Sequence, residues 1–235
     1  MLTVAVLAGG LGTRVRGLTG PDLPKALLPI AGRPFIEHKL SELAAGGAGR
    51  VVFLLGHGGP MIREAVGDGR GFGLEVEYLD DGPVLLGTAG AVRRALDHLG
   101  PAFFLTYGDT LLDVSLAELQ NRLLDGDALG AMTVLENVDR WETSNVDVAG
   151  DLVVAYDKPS RPGTRRYIDY GLLAFRAAAF ADLAPGRSAD LTTVLTALVD
   201  RRMLVAVPVR SRFYDIGTEA AARETEAWLL RRASR

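Results

Sequence analysis

Glycines and cations near the start of the chain could bind phosphate groups. The apolar run Val4 to Ala8 is typical of a buried strand, and the glycine-rich segment Gly9 to Gly12 follows it directly. Glycine lets the backbone approach a ligand closely, so that backbone N–H groups can bind phosphate oxygens. Arg14 and Lys25 add two positive charges around a proline-marked segment. We therefore expect this stretch to bind a polyphosphate.

Two common phosphate-binding motifs do not match this stretch. A dinucleotide-binding fingerprint needs G-x-G-x-x-G, but Val15 stands where the third glycine belongs. We also expect the proline-rich segment that follows the glycines to be loop and not helix. A P-loop ends in Gly-Lys-Ser/Thr, but Lys25 is followed by Ala26 and lacks the glycine spacing. A tight turn that carries scattered surface charges is the alternative interpretation.

An acidic residue follows another buried strand. The mostly apolar run Ala102 to Tyr107 leads into Gly108, Asp109 and Thr110. In an open α/β sheet, ligands bind outside the carboxyl ends of the parallel strands. A carboxylate at that edge suits Mg²⁺, which takes hard oxygen ligands beside substrate phosphates. A plain Asx turn would explain the same residues.

A segment of small residues, Gly87 to Gly90, opens a helical pattern that continues to Leu99. Small residues at a helix start permit close packing, and Thr88 could cap the helix. The same residues could instead line a binding cavity with their backbone groups facing the ligand. The residues alone leave both interpretations open.

Alternating strands and helices must position these residues in the first half of the chain. Apolar periodicity predicts, in order, a strand at Val4–Ala8, a helix at Phe35–Ala45, a strand at Arg50–Leu55, a short helix from Pro60 to Val66 and a strand at Leu74–Leu79. This order implies a mostly parallel sheet with right-handed crossovers.

The second half is richer in strands. The pattern predicts strands at Ala131–Leu135, Asn145–Val148, Leu152–Tyr156, Tyr167–Phe175 and Leu204–Val209, with Gly171 interrupting the fourth of them. A last helix is expected over Glu219 to Arg232. Its apolar residues should cover the sheet, and they are Ala222, Ala227, Leu229 and Leu230.

Composition bounds the class of protein. The 235 residues suffice for one domain with a substantial core, and 48% hydrophobic with 23% charged residues is ordinary for a globular protein. A net charge of -3 argues against a nucleic-acid partner, and the absence of cysteine fits a cytoplasmic protein. We expect no signal peptide and no membrane partner, because no apolar run approaches the ~20 residues that span a bilayer.

The glycine stretch resembles the signature of the sugar-1-phosphate nucleotidylyltransferases. Leu7 to Arg14 reads L-A-G-G-L-G-T-R, and Pro24 to Pro34 reads P-K-A-L-L-P-I-A-G-R-P, as in the first two motifs of that family. Leu86 to Gly90 is similar to the family's base-lining block, and Asp215 to Thr218 to its late D-I-G-T block. Among the branches of the family, the chain is most similar to the compact heptose-1-phosphate guanylyltransferases.

The resemblance implies roles for particular residues. Arg14 and Lys25 would be catalytic cations on the phosphates, whereas Asp109 and Asp215 would hold Mg²⁺. The nucleotide-binding residues would be Leu7, Ala8, Gly9, Gly10, Gly12, Thr13, Gly87, Thr88, Ala89 and Gly108. The sugar phosphate would be bound by Asn145, Asp157, Lys158, Asp169 and Gly171.

Two blocks of the sugar side depart from the family pattern. Asp157 stands where the family has a glutamate before Lys158 and Pro159. The segment Asp169 to Gly171 reads D-Y-G where many relatives have N-A-G or N-G-G. We therefore expect this chain to recognise a different pattern of sugar hydroxyl groups.

The fold that the resemblance implies is a single domain over residues 1–235. It would be a Rossmann-like, three-layer α/β/α mixed sheet with a β-rich sugar-binding portion. Residues 1–127 would form the nucleotide-binding half, residues 128–218 the sugar-phosphate-binding half and residues 219–235 a C-terminal helix.

The implied activity is that of a Mg²⁺-dependent nucleotidyltransferase, a cytoplasmic monomer or homodimer. It would form an NDP-sugar and pyrophosphate from an NTP and a sugar 1-phosphate. The first expectation is GTP with D-glycero-D-manno-heptose 1-phosphate. The alternatives are a hexose 1-phosphate (mannose, glucose or N-acetylmuramate) with UTP, CTP or another NTP, and, in a different class, a catalytically silent nucleotide-sugar sensor.

Overall fold

A nine-stranded mixed sheet lies at the centre of the computed structural model, which describes residues 2–10, 16–20 and 23–233. The strands are β1 Thr3–Leu7, β2 Pro29–Ile30, β3 Arg33–Pro34, β4 Arg50–Leu55, β5 Glu75–Asp80, β6 Ala102–Tyr107, β7 Thr110–Leu111, β8 Gly130–Glu136, β9 Val146–Ala149, β10 Leu152–Tyr156, β11 Tyr167–Arg176, β12 Leu204–Val209 and β13 Tyr214–Asp215. The helices are α1 Arg16–Thr19, α2 Phe35–Ala45, α3 Gly59–Val66, α4 Gly87–Leu99, α5 Leu116–Leu124, α6 Leu191–Asp200 and α7 Glu219–Ala233, with 3₁₀ turns at Lys25–Leu27, Arg70–Phe72 and Ala177–Phe180.

The order of the strands places a ligand-binding edge beside β1. Across the sheet the order is β5-β4-β1-β6-β11-β8-β12-β10-β9. The first four strands are parallel, whereas β11 is antiparallel to both β6 and β8. The chain leaves β1 toward β4 and β5 on one side and returns to β6 on the other. Such a reversal opens a crevice at the carboxyl ends of β1 and β6, which is where open α/β sheets bind ligands.

Helices cover both faces of the sheet, because the central strands are apolar on both sides. Val4 and Val6 of β1 lie in one core with residues of α2, α3 and α5. Ala5 lies in the opposite core with residues of α4 and α6. The three-layer α/β/α arrangement expected from the sequence is therefore confirmed.

Most predicted elements are present, several with the predicted bounds. The helix Phe35–Ala45 and the strands Arg50–Leu55 and Leu204–Val209 agree with the prediction residue by residue. The segment after the glycines was expected to be loop, but it contains the one-turn helix α1. A single turn is too short to give a periodic signal. No helix among the described residues combines the length and the apolarity needed to cross a membrane.

The last helix packs differently from the prediction. We expected α7 to cover the main sheet, but its buried residue Ala222 lies in a separate apolar cluster with Leu28, Phe35 and Ile216. Leu230 of α7 is 54% exposed. The reason is the small two-stranded sheet of β7 and β13, which gives α7 an apolar surface of its own.

The strand β11 bulges in the middle. Its register against β8 shifts between Asp169 and Leu173, so that three residues of β11 face one residue of β8, Thr133. The buried hydroxyl of Thr106 donates a hydrogen bond to the carbonyl of Gly171 at 2.9 Å, and that of Thr133 donates to the next carbonyl at 2.6 Å. These bonds satisfy carbonyls that the bulge takes out of the regular ladder.

The bulge depends on glycine at its centre, because Gly171 has φ +90°. An added Cβ would lie 3.6 Å from the Tyr107 ring, an ordinary contact, so the cost of Gly171→Ala is backbone strain. We expect it to lower the free energy of unfolding by about 1–3 kcal/mol in urea denaturation. Gly126→Ala is the control, since Gly126 lacks a positive φ and an added Cβ meets no atom within 4 Å. Equal effects of the two substitutions would contradict this account of the bulge.

Candidate active site

Two cavities meet at the carboxyl ends of β1 and β6. The first, of about 440 Å³, is lined by residues 7–10, by the turn at 24–26 and by residues between 81 and 91. The second, of about 650 Å³, is lined by the bulge of β11 and by residues between 142 and 160. The two cavities share four wall residues, which are Lys25, Tyr107, Asp109 and Gly217.

An ion pair forms part of this shared wall. Lys25 Nζ lies 2.6 Å from Asp109 Oδ2, and the two side chains are 13% and 37% exposed. The 3₁₀ turn that carries Lys25 is anchored by the buried Ala26 and Leu27. Asp109 follows β6 directly, and the hydroxyl of Thr110 donates to its Oδ1 at 3.1 Å. A cation and a carboxylate are thus held in the wall that the two cavities share.

A second carboxylate, that of Asp215, lines the second cavity beside this junction. β13 pairs with β7 so that Asp215 lies opposite Thr110, the neighbour of Asp109. Asp215 Oδ1 accepts the N–H of Gly217 at 2.6 Å, and the buried Thr225 hydroxyl donates to the Asp215 carbonyl at 2.6 Å. These bonds orient the backbone and the side chain of Asp215.

The donor set at the junction fits a hard divalent cation. Asp109 and Asp215 offer carboxylate oxygens, which are the ligands that Mg²⁺ prefers. Within the described ranges, no group of three or more His, Cys, Asp or Glu side chains could hold a metal. Mg²⁺ commonly binds through one or two carboxylates plus substrate phosphates and water, so two acids are a suitable set.

The glycine loop after β1 lines the first cavity. Leu7, Ala8, Gly9, Gly10 and Gly108 all contribute to its wall. A Cβ on Gly9 would lie 2.8 Å from the backbone nitrogen of Gly56, so the close approach of two loops requires glycine there. The predicted residues Gly12, Thr13 and Arg14 lie outside the described part of the chain.

The start of α4 both packs closely against a neighbouring segment and lines the first cavity. Gly87 and Thr88 line the first cavity, whereas Ala89 is buried and donates its N–H to the carbonyl of Ala189 at 2.9 Å. The Thr88 hydroxyl accepts the N–H of Leu191 at 2.7 Å. Thr88 therefore binds the start of α6 and does not cap its own helix.

The five predicted sugar-side residues all line the second cavity. Asn145 Oδ1 accepts the N–H of Asp169 at 2.9 Å, and Asp169 Oδ1 accepts the N–H of Gly171 at 2.9 Å. Burial raises the pKa of the Asp169 carboxyl, and the N–H of Gly171 and the positive charge of Lys158 lower this pKa by less. The bulge thus holds a carboxyl group in the wall of the cavity.

Lys158 and Asp157 differ in their surroundings. Lys158 Nζ lies 5.8 Å from the centre of the Tyr107 ring, which forms part of the shared wall. The Asp157 carboxylate forms an ion pair with Arg165 at 2.7 Å, and Arg165 also binds Asp147 at 2.9 Å. Asp157 therefore has a protein partner.

Comparison with known protein families identifies the family of this chain. A family model described as nucleotidyl transferase matches residues 3–231. The chain belongs to the nucleotidyl transferase family.

Individual relatives are similar over part of their length. The low-salt glycan biosynthesis nucleotidyltransferase Agl11 of Haloferax volcanii is 32% identical over 179 residues, which are 74% of this chain and 49% of that protein. The D-glycero-alpha-D-manno-heptose 1-phosphate guanylyltransferase of Campylobacter jejuni is 30% identical over 154 residues, or 65% of this chain and 66% of that enzyme. The crystal structure of HddC from Yersinia pseudotuberculosis complexed with GMP-PN has the same fold, with a TM-score of 0.79 and 23% identity over 97% of this chain and 100% of that chain.

Several residues that line or support the two cavities were not predicted from the sequence. Tyr107 and Gly217 belong to the shared wall. Tyr107 ends the strand before Gly108, and Gly217 lies within the D-I-G-T block, but neither was named as a site residue. Arg165 and Thr225 had no such signal, because each is a single polar residue outside the named motifs and acts through the residue that it binds, Asp157 and Asp215 respectively. Asp81 also lines the first cavity and likewise lies outside every motif.

A stack of three aromatic rings and the Arg212 guanidinium lies beside the strand that carries Asp215. The Arg212 guanidinium lies 5.3 Å from the Trp141 ring and 4.7 Å from the Tyr214 ring. Tyr214 stacks on Trp228 at 4.4 Å, and it immediately precedes Asp215. The stack thus links the strand that carries Asp215 to the edge of the second cavity.

Arg212→Met should loosen this stack. It removes two cation–π contacts and an ion pair with Glu224, so we expect the free energy of unfolding to fall by about 1–2 kcal/mol. The two tryptophans of the chain, Trp141 and Trp228, both belong to the stack, so their emission spectrum should change. Arg223→Met is the control, because Arg223 makes only a long exposed contact of 3.5 Å with Glu219 among its described interactions. An unchanged emission spectrum would contradict the role of Arg212.

Proposed function

We propose that this chain transfers a nucleotidyl group from an NTP to a sugar 1-phosphate and releases pyrophosphate. The observation that carries the proposal is the shared wall of Lys25 and Asp109, with Asp215 beside it, between two cavities. The first cavity would hold the NTP and the second the sugar phosphate. On this proposal, residues 1–127 form most of the nucleotide side and residues 128–218 most of the sugar side.

The reaction needs no nucleophile from the protein. An oxygen of the sugar phosphate attacks the α-phosphorus of the NTP, a new P–O bond forms, and the bond to the β-phosphate breaks. Catalysis of this kind depends on positioning and on neutralising charge. The Lys25 ammonium, in the wall of both cavities, would face the α-phosphate and the incoming oxygen. Arg14 would bind the β- and γ-phosphates.

The two carboxylates at the junction would hold Mg²⁺. Bound there, the ion would neutralise charge on the phosphates. Asp109 would keep its hydrogen bond from Thr110, and Asp215 its bond from Gly217, so both acids stay oriented. The protein thus contributes a rigid pair of oxygen donors.

The second cavity would bind the sugar phosphate through its cation and its polar bulge. Lys158 would bind the phosphate, and Asn145, Asp169 and Gly171 would line the sugar. Asp157 would contribute through Arg165, because its carboxylate is already paired.

GTP with D-glycero-D-manno-heptose 1-phosphate is the first substrate pair that we propose. Support comes from the similarity to the Campylobacter jejuni enzyme named as a heptose 1-phosphate guanylyltransferase. The deciding experiment measures pyrophosphate release for GTP, UTP, CTP, ATP and dTTP against heptose, mannose, glucose and N-acetylmuramate 1-phosphates. Turnover with any pair supports the reaction, and the best pair names the substrates. No turnover with measurable NTP binding would favour a nucleotide-sugar sensor.

Metal removal tests the role of the two acids. EDTA should abolish turnover, and Asp109→Asn or Asp215→Asn should each lower kcat by several orders of magnitude, because the oxygen donors for the cation are lost. Asp125→Asn, at an exposed position after α5, is the matched control and should be neutral. Full activity in EDTA would show that the acids do not serve a metal.

Removing either cavity lysine should separate binding from catalysis. Lys25→Ala should lower the single-turnover rate by ~10²–10³ while changing NTP affinity little, because its cation meets charge that develops in the transition state. Lys158→Ala should mainly raise the KM for the sugar phosphate. Calorimetry with the NTP and rapid-quench product formation distinguish the two effects. A Lys25→Ala variant that lost only NTP affinity would argue for a binding role alone.

A further inference from the structure

The first cavity has two chemically different ends. Lys25 and Asp109 lie at the end of β6, whereas Asp81 and Leu85 follow β5. In the sheet, β5 and β6 are separated by β4 and β1, which corresponds to about 14 Å at the usual strand spacing. If NTP phosphates lie beside Lys25, the ribose and the base must extend toward Asp81. This placement of the base rests on the proposed function.

Asp81 offers hydrogen-bond acceptors to that end of the cavity. Its Oδ2 accepts the N–H of Leu86 at 3.0 Å, and this is the only hydrogen bond that the described residues donate to its carboxylate. Arg94 donates to the backbone carbonyl of Asp81 at 2.9 Å and holds the loop in place. A carboxylate has about four lone-pair sites, so both oxygens retain acceptor capacity.

The surroundings of Asp81 favour a ligand that donates hydrogen bonds. Burial raises the pKa of its carboxyl, and the N–H of Leu86 and the positive charge of Arg94 lower this pKa by less. Additional N–H donors would therefore stabilise its charged form. The neighbouring Asp80 differs, because its carboxylate is paired with Arg63 at 2.8 Å and does not line the cavity.

Apolar side chains at the same end could cover the flat face of a base. Leu85 lines the first cavity and is 47% exposed, and Val84 beside it is 67% exposed. Exposed apolar residues at the rim of a cavity commonly mark a ligand-binding surface. A flat apolar surface and a carboxylate at its edge are together suited to a planar ring that carries N–H groups.

We infer that Asp81 selects guanine by accepting the ring N1–H and the 2-amino group with its carboxylate. Guanine alone among the common bases presents two adjacent donors at that edge, which match the two oxygens of a carboxylate. Uracil and thymine present one N–H between two carbonyl oxygens, which a carboxylate repels. Cytosine and adenine present an amino group beside a ring nitrogen that is an acceptor.

The test compares GTP with ITP, which lacks only the 2-amino group. Calorimetry in Mg²⁺ should show that the wild-type chain binds GTP on the order of 10-fold more tightly than ITP, with UTP weaker still. Asp81→Asn should weaken the binding of GTP on the order of 10- to 100-fold and bring the ratio of the GTP and ITP affinities toward one. The asparagine oxygen can still accept the Leu86 N–H, so the fold should persist, which thermal unfolding checks. Asp80→Asn is the matched control and should leave the ratio unchanged.

Other outcomes would overturn the inference. Wild-type binding of UTP or ITP as tight as that of GTP would exclude a base-reading carboxylate. If Asp81→Asn weakened the binding of every NTP equally, the carboxylate would contact the ribose and not the base. In that case the variant should bind 2′-dGTP as tightly as GTP. The calorimetric result does not need turnover. Pyrophosphate release from UTP at least as fast as from GTP would support the proposed reaction while overturning the role of Asp81, so the two failures are distinguishable.

Discussion

The pairing of β7 with β13 is the constraint on which the site depends. These two-residue strands come from opposite halves of the chain, and their register places Asp215 opposite the neighbour of Asp109. The backbone N–H of Ile216 also donates to the Asp109 carbonyl at 3.1 Å. Without this strand pairing, the side chains of Asp109 and Asp215 would not be held close to each other. α7, which follows directly, packs on the same small sheet and stabilises it.

The mixed sheet explains why one site has two cavities. The parallel strands β5 to β6 end in loops that line the first cavity, and the antiparallel β11 places its bulge beside the second. Tyr107, at the end of β6, separates the two. Burial, together with the carboxylates of Asp169 and Asp109, raises the pKa of Tyr107 far above its usual range, so its ring is a neutral wall between charged groups.

Sequence patterns predicted the large elements and the motif residues of this molecule. Strands such as Ala102–Tyr107 have enough apolar residues for a clear signal, and the glycine loop has an unusual sequence. The ladder of β7 and β13 could not be predicted, because two residues carry no periodicity. The packing of α7 depends on tertiary contacts with residues far away in the sequence. The pairing of Asp157 with Arg165 depends on the course of an irregular loop, which carries no periodic pattern. Asp81 was missed because a single acid in a loop has no distinguishing pattern.

On the proposed function, Asp109 and Asp215 hold one divalent cation where an NTP and a sugar phosphate meet. A crystal structure with Mn²⁺ and a non-hydrolysable NTP tests this arrangement directly, since the anomalous signal locates the metal. We expect a single strong peak in contact with an oxygen of each aspartate and with a phosphate oxygen. A peak bound to the phosphates alone, with neither aspartate in contact, would contradict it.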